Sequence, residues 1–184
     1  AQFFVEFCRG FIAYNQKDYK AAIPAFEKAK LLDPQFPDNI KYLAYSYYKG
    51  GKPEAAETAI KGFVVGGGQD AQMSYLLGII LNDRKDFKGA LQAYQTAAEL
   101  KPDYVQAVEA AARLCVSGLK DYKTALVYLE KLVGLNPENA NAPKYMGVCY
   151  QNTGNREKAL EAYAKALALN PKDTDVHFNM SKLY

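Results

Sequence analysis

Apolar side chains recur three and four residues apart along most of the chain, as in Ala22, Phe26 and Ala29 or in Ala159, Tyr163 and Ala166. Residues at that spacing share one face of an α-helix. Short stretches rich in Asp, Asn, Gly and Pro interrupt the pattern and read as turns. The predicted elements are therefore a succession of amphipathic helices, and aligning the chain with itself shows that they repeat. The alanines of five A-x-x-x-[aromatic or aliphatic] pairs, Ala22 with Phe26, Ala56 with Ile60, Ala90 with Tyr94, Ala125 with Leu129 and Ala159 with Tyr163, are spaced 34, 34, 35 and 34 residues apart. The small residues Gly10, Ala44, Gly78, Ala112 and Gly147 keep the same interval, as do Pro34, Pro102, Pro137 and Pro171 with one proline missing. The single extra residue falls between Ala112 and Ala125 and is expected in the VSGLKD segment as a loop insertion at Gly118.

With each repeat numbered from 1 to 34, positions 4, 7, 8 and 11 lie on an arc of about 100° and form the apolar face of a first helix. Gly or Ala at position 8 permits close approach of a neighbouring helix. Position 16, occupied by Asp18, Asp86, Asp121 or Asn155, suits the N-cap of a second helix whose inward residues are positions 17, 20, 24 and 27. In the second repeat Lys52 stands there and Pro53 follows as a favourable first helical residue. Pro143 sits in a first helical turn, whereas Pro24 lies inside a second helix, where a kink or a lost hydrogen bond is expected. Each unit is a helical hairpin that cannot bury its own apolar face and must stack on its neighbours.

The period of 34, with a small residue, A-x-x-x-F/Y and a closing proline, resembles the tetratricopeptide repeat family. The segment with Met146-Gly147, Tyr150, Ala159, Tyr163, Ala166 and Pro171 carries the pattern best, followed by the one with Leu77-Gly78, Ala90, Tyr94, Ala97 and Pro102. The tryptophan position of the family holds Glu6, Ile40, Ser74, Val108 and Pro143 instead. The resemblance implies an all-α fold: a right-handed superhelical solenoid of antiparallel helix pairs with about 11 helices. It covers residues 1–184 as one domain, with repeats at 3–36, 37–70, 71–104, 105–139 and 140–173 and a terminal helix at 174–184. That last helix reads either as a cap or as the first helix of a sixth repeat.

Composition narrows the partners. With 23 basic and 20 acidic residues and a net charge of +3, the 184-residue chain has no polybasic cluster that would argue for nucleic acid. Its longest apolar run, Tyr75 to Leu81, falls far short of the roughly 18 residues of a membrane span. Cys8, Cys115 and Cys149 have neither disulfide nor zinc spacing and read as small buried hydrophobes. Free cysteines and the lack of a visible leader favour the cytoplasm, although a chain beginning at Ala1 leaves an upstream segment open.

Catalytic chemistry finds little to work with. The single histidine, His177, stands at a packing position, and Asp83 and Asp86 flank a turn and a cap. The glycines Gly66, Gly67 and Gly68 lack the Lys-Ser/Thr of a phosphate loop and fall where the missing proline was due, so they read as an inter-repeat turn. Because Gly66 also replaces a leucine found at that position in the other repeats, this joint is expected to be the softest in the array. No enzyme activity, cofactor or metal is expected.

Positions 2, 5, 9, 12 and 13 of the first helices face away from the packing stripe. In the family this chain resembles, that face lines a concave groove where peptides bind. The candidate groove residues are Phe7, Phe11 and Tyr14; Asp38, Lys41, Tyr45, Tyr48 and Lys49; Gln72, Tyr75, Ile79 and Asn82; Glu109 and Arg113; and Lys144 and Gln151. The reading is a protein-interaction scaffold that holds a partner peptide or protein segment there. Two alternatives stand beside it: self-association through the end helices into a homo-oligomer, and the recruiting arm of a larger enzyme. Phe4, Phe7 and Phe11 fit groove contact, or packing against a preceding repeat or a second copy. The family's clamp for a C-terminal carboxylate is absent, since Tyr45 and Val148 stand where it needs asparagine.

Overall fold

The computed structural model describes residues 1–183, which form eleven α-helices and one π-helical turn with no strand among the described residues. The helices are α1 (Gln2–Asn15), α2 (Tyr19–Leu32), α3 (Pro37–Lys49), α4 (Pro53–Val65), α5 (Ala71–Asp83), α6 (Phe87–Leu100), α7 (Val105–Leu114), α8 (Tyr122–Leu135), α9 (Asn141–Asn152), α10 (Arg156–Leu169) and α11 (Thr174–Ser181). They gather into two compact units, one of residues Ala1–Asp86 and one from Phe87 on, and the division falls inside the third repeat.

The five first-to-second helix turns share one backbone device. Lys17, Gly51, Lys85, Lys120 and Gly154 all take a left-handed conformation, with φ between 53° and 79°. In the first turn the Lys17 N–H donates to the Tyr14 carbonyl (2.9 Å) and the Asp18 N–H to the Ala13 carbonyl (2.9 Å), a Schellman closure of α1. The Asp18 carboxylate then accepts from the Ala21 N–H (3.0 Å) and starts α2. Asp121 and Asn155 cap α8 and α10 in the same way.

In the first unit α1 packs on α2, α3 on α4, and α2 and α4 on the helices that follow them. Ala22, Ile23, Phe26 and Leu43 fill one core cluster, and Ile40, Ala44, Ile60, Met73, Leu76 and Ile80 another. In the second unit α7 packs on α8 and α9 on α10, with α6 against α7 and α11 against α10. Val176 brings α11 into the core of Ala159, Tyr163 and Ala166.

Size complementarity sets how closely each pair approaches. A Cβ added to Gly147 would lie 2.4 Å from the Tyr163 ring, and one added to Gly10 would lie 2.6 Å from the Phe26 ring. Where position 8 is alanine, at Ala44 and Ala112, position 24 holds the smaller Ile60 or Leu129. Glycine and aromatic trade volume against alanine and aliphatic, so the interior stays close-packed in either form.

Three expectations are corrected, and at Pro24 the lost hydrogen bond rather than a kink is what occurs. The extra residue of the fourth repeat is not in a loop: it is wound into the π-helical turn Cys115–Leu119 that extends α7. Widening the helical hydrogen bond by one residue absorbs the insertion without stranding backbone groups, and the Asp121 N–H closes the turn on the Cys115 carbonyl (2.9 Å). Gly118 is needed there for packing, since a Cβ would stand 2.8 Å from the Leu114 side chain and 3.3 Å from the Phe87 ring. Cys8 is exposed, unlike Cys115 and Cys149, on the side of α1 that also carries the exposed Val5 and Ile12. His177 is exposed rather than packed, its ring nitrogen 3.0 Å from the Pro171 carbonyl. Pro24 leaves α2 continuous; only the Lys20 carbonyl loses its partner, on an exposed stretch where water can take its place.

The turn at Gly66–Gly68 is built around one ring. α4 ends at Val65, one position earlier in the repeat than α2, α6, α8 and α10. Gly67 adopts φ 84°, its N–H donates to the Val64 carbonyl (2.9 Å), and the Gly68 N–H donates to the Phe63 carbonyl (3.0 Å). The Phe63 ring lies over Gly68 so closely that a Cβ would be 2.3 Å from it. The proline of the other repeats has no room here. The leucines that Gly66 replaces include Leu32, Leu100 and Leu169, each 38% to 48% exposed, so the anchor lost is a small one.

Candidate functional site

The outward positions of α1, α3 and α5 bring the aromatic candidates together on the first unit. Tyr42 stands at their centre: its ring centroid lies 5.0 Å from Phe11, 5.2 Å from Tyr14 and 6.3 Å from Phe7. Phe7 also meets Phe26 at 6.0 Å and Phe36 at 5.4 Å, so it ties the aromatic face to the core rather than lining an open surface. Phe11 keeps 37% of its surface exposed. The contact positions of the first helices did not include Tyr42; the signal that could have found it is the density of rings around it, from Phe3 through Phe11 to Tyr45.

The tyrosines further along are half-buried and fixed by their hydroxyls. Tyr45 Oη donates to the Gln72 carbonyl (3.2 Å), and Tyr48 Oη donates to Asp83 Oδ2 (3.1 Å), both bridging α3 to α5. Burial, with that bond to Asp83, raises the Tyr48 pKa; burial and the neighbouring Tyr19 and Tyr42 raise that of Tyr14. Lys41 Nζ pairs with Asp38 Oδ1 at 2.6 Å and sits 5.4 Å from the Tyr42 centroid. Its partial burial opposes the charge, but Asp38 outweighs that and its pKa is raised. Lys49 Nζ lies 5.7 Å from the Tyr48 ring. Tyr75, Ile79 and Asn82 are half-buried on α5, and the Gln72 side chain is exposed. The whole patch presents rigid rings with two lysines at their edges.

On the second unit the candidates are polar and largely committed to the fold. Lys144 Nζ sits between Asp173 (3.0 Å) and Asp175 (2.8 Å), tying α9 to the start of α11. Gln151 Oε1 accepts from the Tyr163 hydroxyl (2.7 Å), the polar tip of a buried ring. Glu109 accepts from Asn141 Nδ2 at 3.3 Å, and Arg113 is exposed. Lys144 and Gln151 therefore spend their polar groups within the chain, a commitment their sequence positions do not reveal because the partners lie on other helices.

No group of three or more metal-ligating side chains is gathered among the described residues. Burial pushes the Cys115 thiol up to about 11 and that of Cys149 up to about 12, which keeps both in the unreactive thiol form near neutrality. No described helix is long and apolar enough to cross a membrane.

Repeated hairpins with left-handed turns, a small residue set against position 24 and an outward face of rings define a helical-repeat protein whose surface is built for contact. Models of the tetratricopeptide repeat match residues 4–36, 43–105 and 117–183, and the chain belongs to the tetratricopeptide repeat family. Among curated proteins it is similar to anaphase-promoting complex subunit 3 of Schizosaccharomyces pombe, 24% identical over 160 residues, covering 87% of this chain and 24% of that one. The chain thus spans about a quarter of that relative's length. A crystal structure of MamA protein superposes with a TM-score of 0.84 at 25% identity, covering 95% of this chain and 94% of the other. YrrB, described as a tetratricopeptide repeat protein with an unusual peptide-binding site, superposes with a TM-score of 0.83 at 22% identity, covering 96% and 90%, a likeness of fold.

Proposed function

We propose that this protein-interaction scaffold is non-enzymatic and holds an extended or helical segment of a partner polypeptide against the outward face of its first helices. The observation that carries the reading is the ring-rich face of α1, α3 and α5, where Phe11 remains 37% exposed and Tyr45 and Tyr48 are held in place by hydrogen bonds. Tyrosine offers a large amphipathic contact area, and rings already immobilised lose little further entropy on binding. Lys41 and Lys49 at the edge add preference for a segment with carboxylates beside its apolar anchors.

Affinity capture from the source cell with Tyr48→Phe and Tyr48→Ala separates contact from support. Phe keeps the ring and loses only the bond to Asp83, so capture should persist; Ala should lower it about tenfold or more with helicity by circular dichroism unchanged. Equal capture by both variants and the parent would remove this face from consideration.

A second reading is favoured by the outer side of α1, where Phe4 (61%), Val5 (49%) and Ile12 (57%) are exposed beside Phe11. Such a stripe suits a homo-oligomer contact. Light scattering that reports a monomer from micromolar to near-millimolar concentration would dispose of it.

A further inference from the structure

We propose a second docking surface, on the face built from the second helices α8 and α10, that takes an amphipathic helix of a partner protein carrying basic residues along one flank and acidic residues along the other. The groove there has a volume of about 590 Å³, and α9 forms part of its floor. This falls within the range of specific binding pockets. It is separate from the first-helix face and does not depend on the reading given above.

A comparison inside the molecule sets this groove apart. In the first unit the matching groove, between α2 and α3, is smaller, about 450 Å³, and is bridged: Tyr47 Oη donates to Glu27 Oε1 at 2.6 Å, and Lys30 lies beside them. The second unit has the same two residue types at the same repeat positions, Glu130 and Tyr150. Here no bond joins them. Lys158 sits 5.6 Å from the Tyr150 ring, and Val133 replaces the lysine. The bridge is absent, and Val133, Met146, Ala168 and Leu169 line an uncovered apolar trough.

Charge on the rim selects the occupant. Glu161 and Lys165 neutralise each other at 2.7 Å. Glu130 on the α8 side has no ion partner among the described residues, while on the α10 side Lys158, over the Tyr150 ring, and Lys165 share the single carboxylate of Glu161 and leave that edge net positive. One edge is therefore acidic and the other basic, across an apolar floor. A helix with an apolar stripe between a basic and an acidic flank satisfies both edges, and one with like charges on both flanks opposes one of them.

The test uses the whole chain and three fluorescein-labelled helical peptides of about 18 residues, long enough to hold a helix. All share one Leu/Phe stripe; their flanks are Lys and Glu, Lys and Lys, or Glu and Glu. By fluorescence anisotropy the mixed peptide should bind most tightly, with the other two about threefold weaker. Lys158→Glu should move the preference to the all-lysine peptide. Ala168→Trp, at an exposed position, and Val133→Lys, which places a charge on the apolar floor as Lys30 does in the first-unit groove, should each weaken binding about tenfold or more, with circular dichroism confirming that both variants fold. Absence of saturable binding by any peptide overturns the proposal, as does binding indifferent to Ala168→Trp and Val133→Lys. Loss of binding on Tyr48→Ala alone would move the peptide to the first-helix face and equally refute this groove. A dimer seen by light scattering without peptide and abolished by Ala168→Trp would assign the groove to a second copy instead.

Discussion

A methyl group added at Gly147 would meet the Tyr163 ring at 2.4 Å, inside a contact between two helices that has no slack. Gly147→Ala should therefore destabilise the chain by about 1–3 kcal/mol, despite alanine's better helix propensity. Adding Tyr163→Leu recreates the pairing of Ala112 with Leu129 and should recover part of that loss, less the bond from the Tyr163 hydroxyl to Gln151. Urea denaturation of both single variants and the double variant yields the coupling; additive losses would show that the two positions do not trade volume. The ingredients of this coupling are plain in the sequence, because Gly10, Gly78 and Gly147 go with an aromatic and Ala44 and Ala112 with an aliphatic. The periodicity marks both positions as packing sites. That they pack on each other within one hairpin becomes evident only when the helices are placed side by side.

Two elements depend on single contacts that can be tested. At the end of α4 the Phe63 ring covers Gly68 and shields the bonds made by the Gly67 and Gly68 amides. In Phe63→Ala those two amides should exchange faster, by about tenfold or more if the local opening free energy falls by 1.4 kcal/mol or more, with little change at the Pro102 and Pro137 turns. Unchanged exchange at Gly67 and Gly68 would mean that the glycine backbone alone holds the turn. The expected softness of this joint rests on a missing leucine; the ring that covers Gly68 lies five residues before it, and spacing along the chain does not show that contact. α11 is docked by Val176 and by the pairing of Lys144 with Asp173. Partial burial of Asp173 opposes its charge, but Lys144 and the Val176 N–H more than compensate, and its pKa is lowered. A carboxylate with a depressed folded pKa contributes stability that is present above its unfolded value, near 3.9, and is lost as pH falls through the folded value. Docking of α11 should therefore hold at neutral pH and weaken below about pH 4, as followed by His177 amide exchange. Asp173→Asn should weaken docking at neutral pH and flatten that acid dependence.

For the whole molecule, the distribution of rings and charges decides what kind of partner suits it. The first unit displays aromatics held by hydrogen bonds, and the second commits Lys144 and Gln151 to its own helices. If the rings carry the partner, capture should persist at about 0.5 M salt, where the Debye length falls to a few ångströms; release by salt would shift the weight to Lys41 and Lys49. The net charge of +3 agrees with contact that is not dominated by long-range attraction.

The period, the helices and the family are legible in the residues alone, because helix periodicity, caps and turn chemistry are local and five repeats state them five times over. Which outward side chains remain available depends on how the helices pack. Tyr45 and Tyr48 act as struts as well as surface, Phe7 turns toward the core, and the extra residue of the fourth repeat becomes a π-helical turn. The tertiary structure alone distinguished the groove that a Tyr47–Glu27 hydrogen bond bridges from the one where Tyr150 and Glu130, at like positions, make no bond. The reason is physical: a side chain's partner is set by what neighbouring helices place within hydrogen-bond reach, and that distance is fixed by packing rather than by position in the repeat.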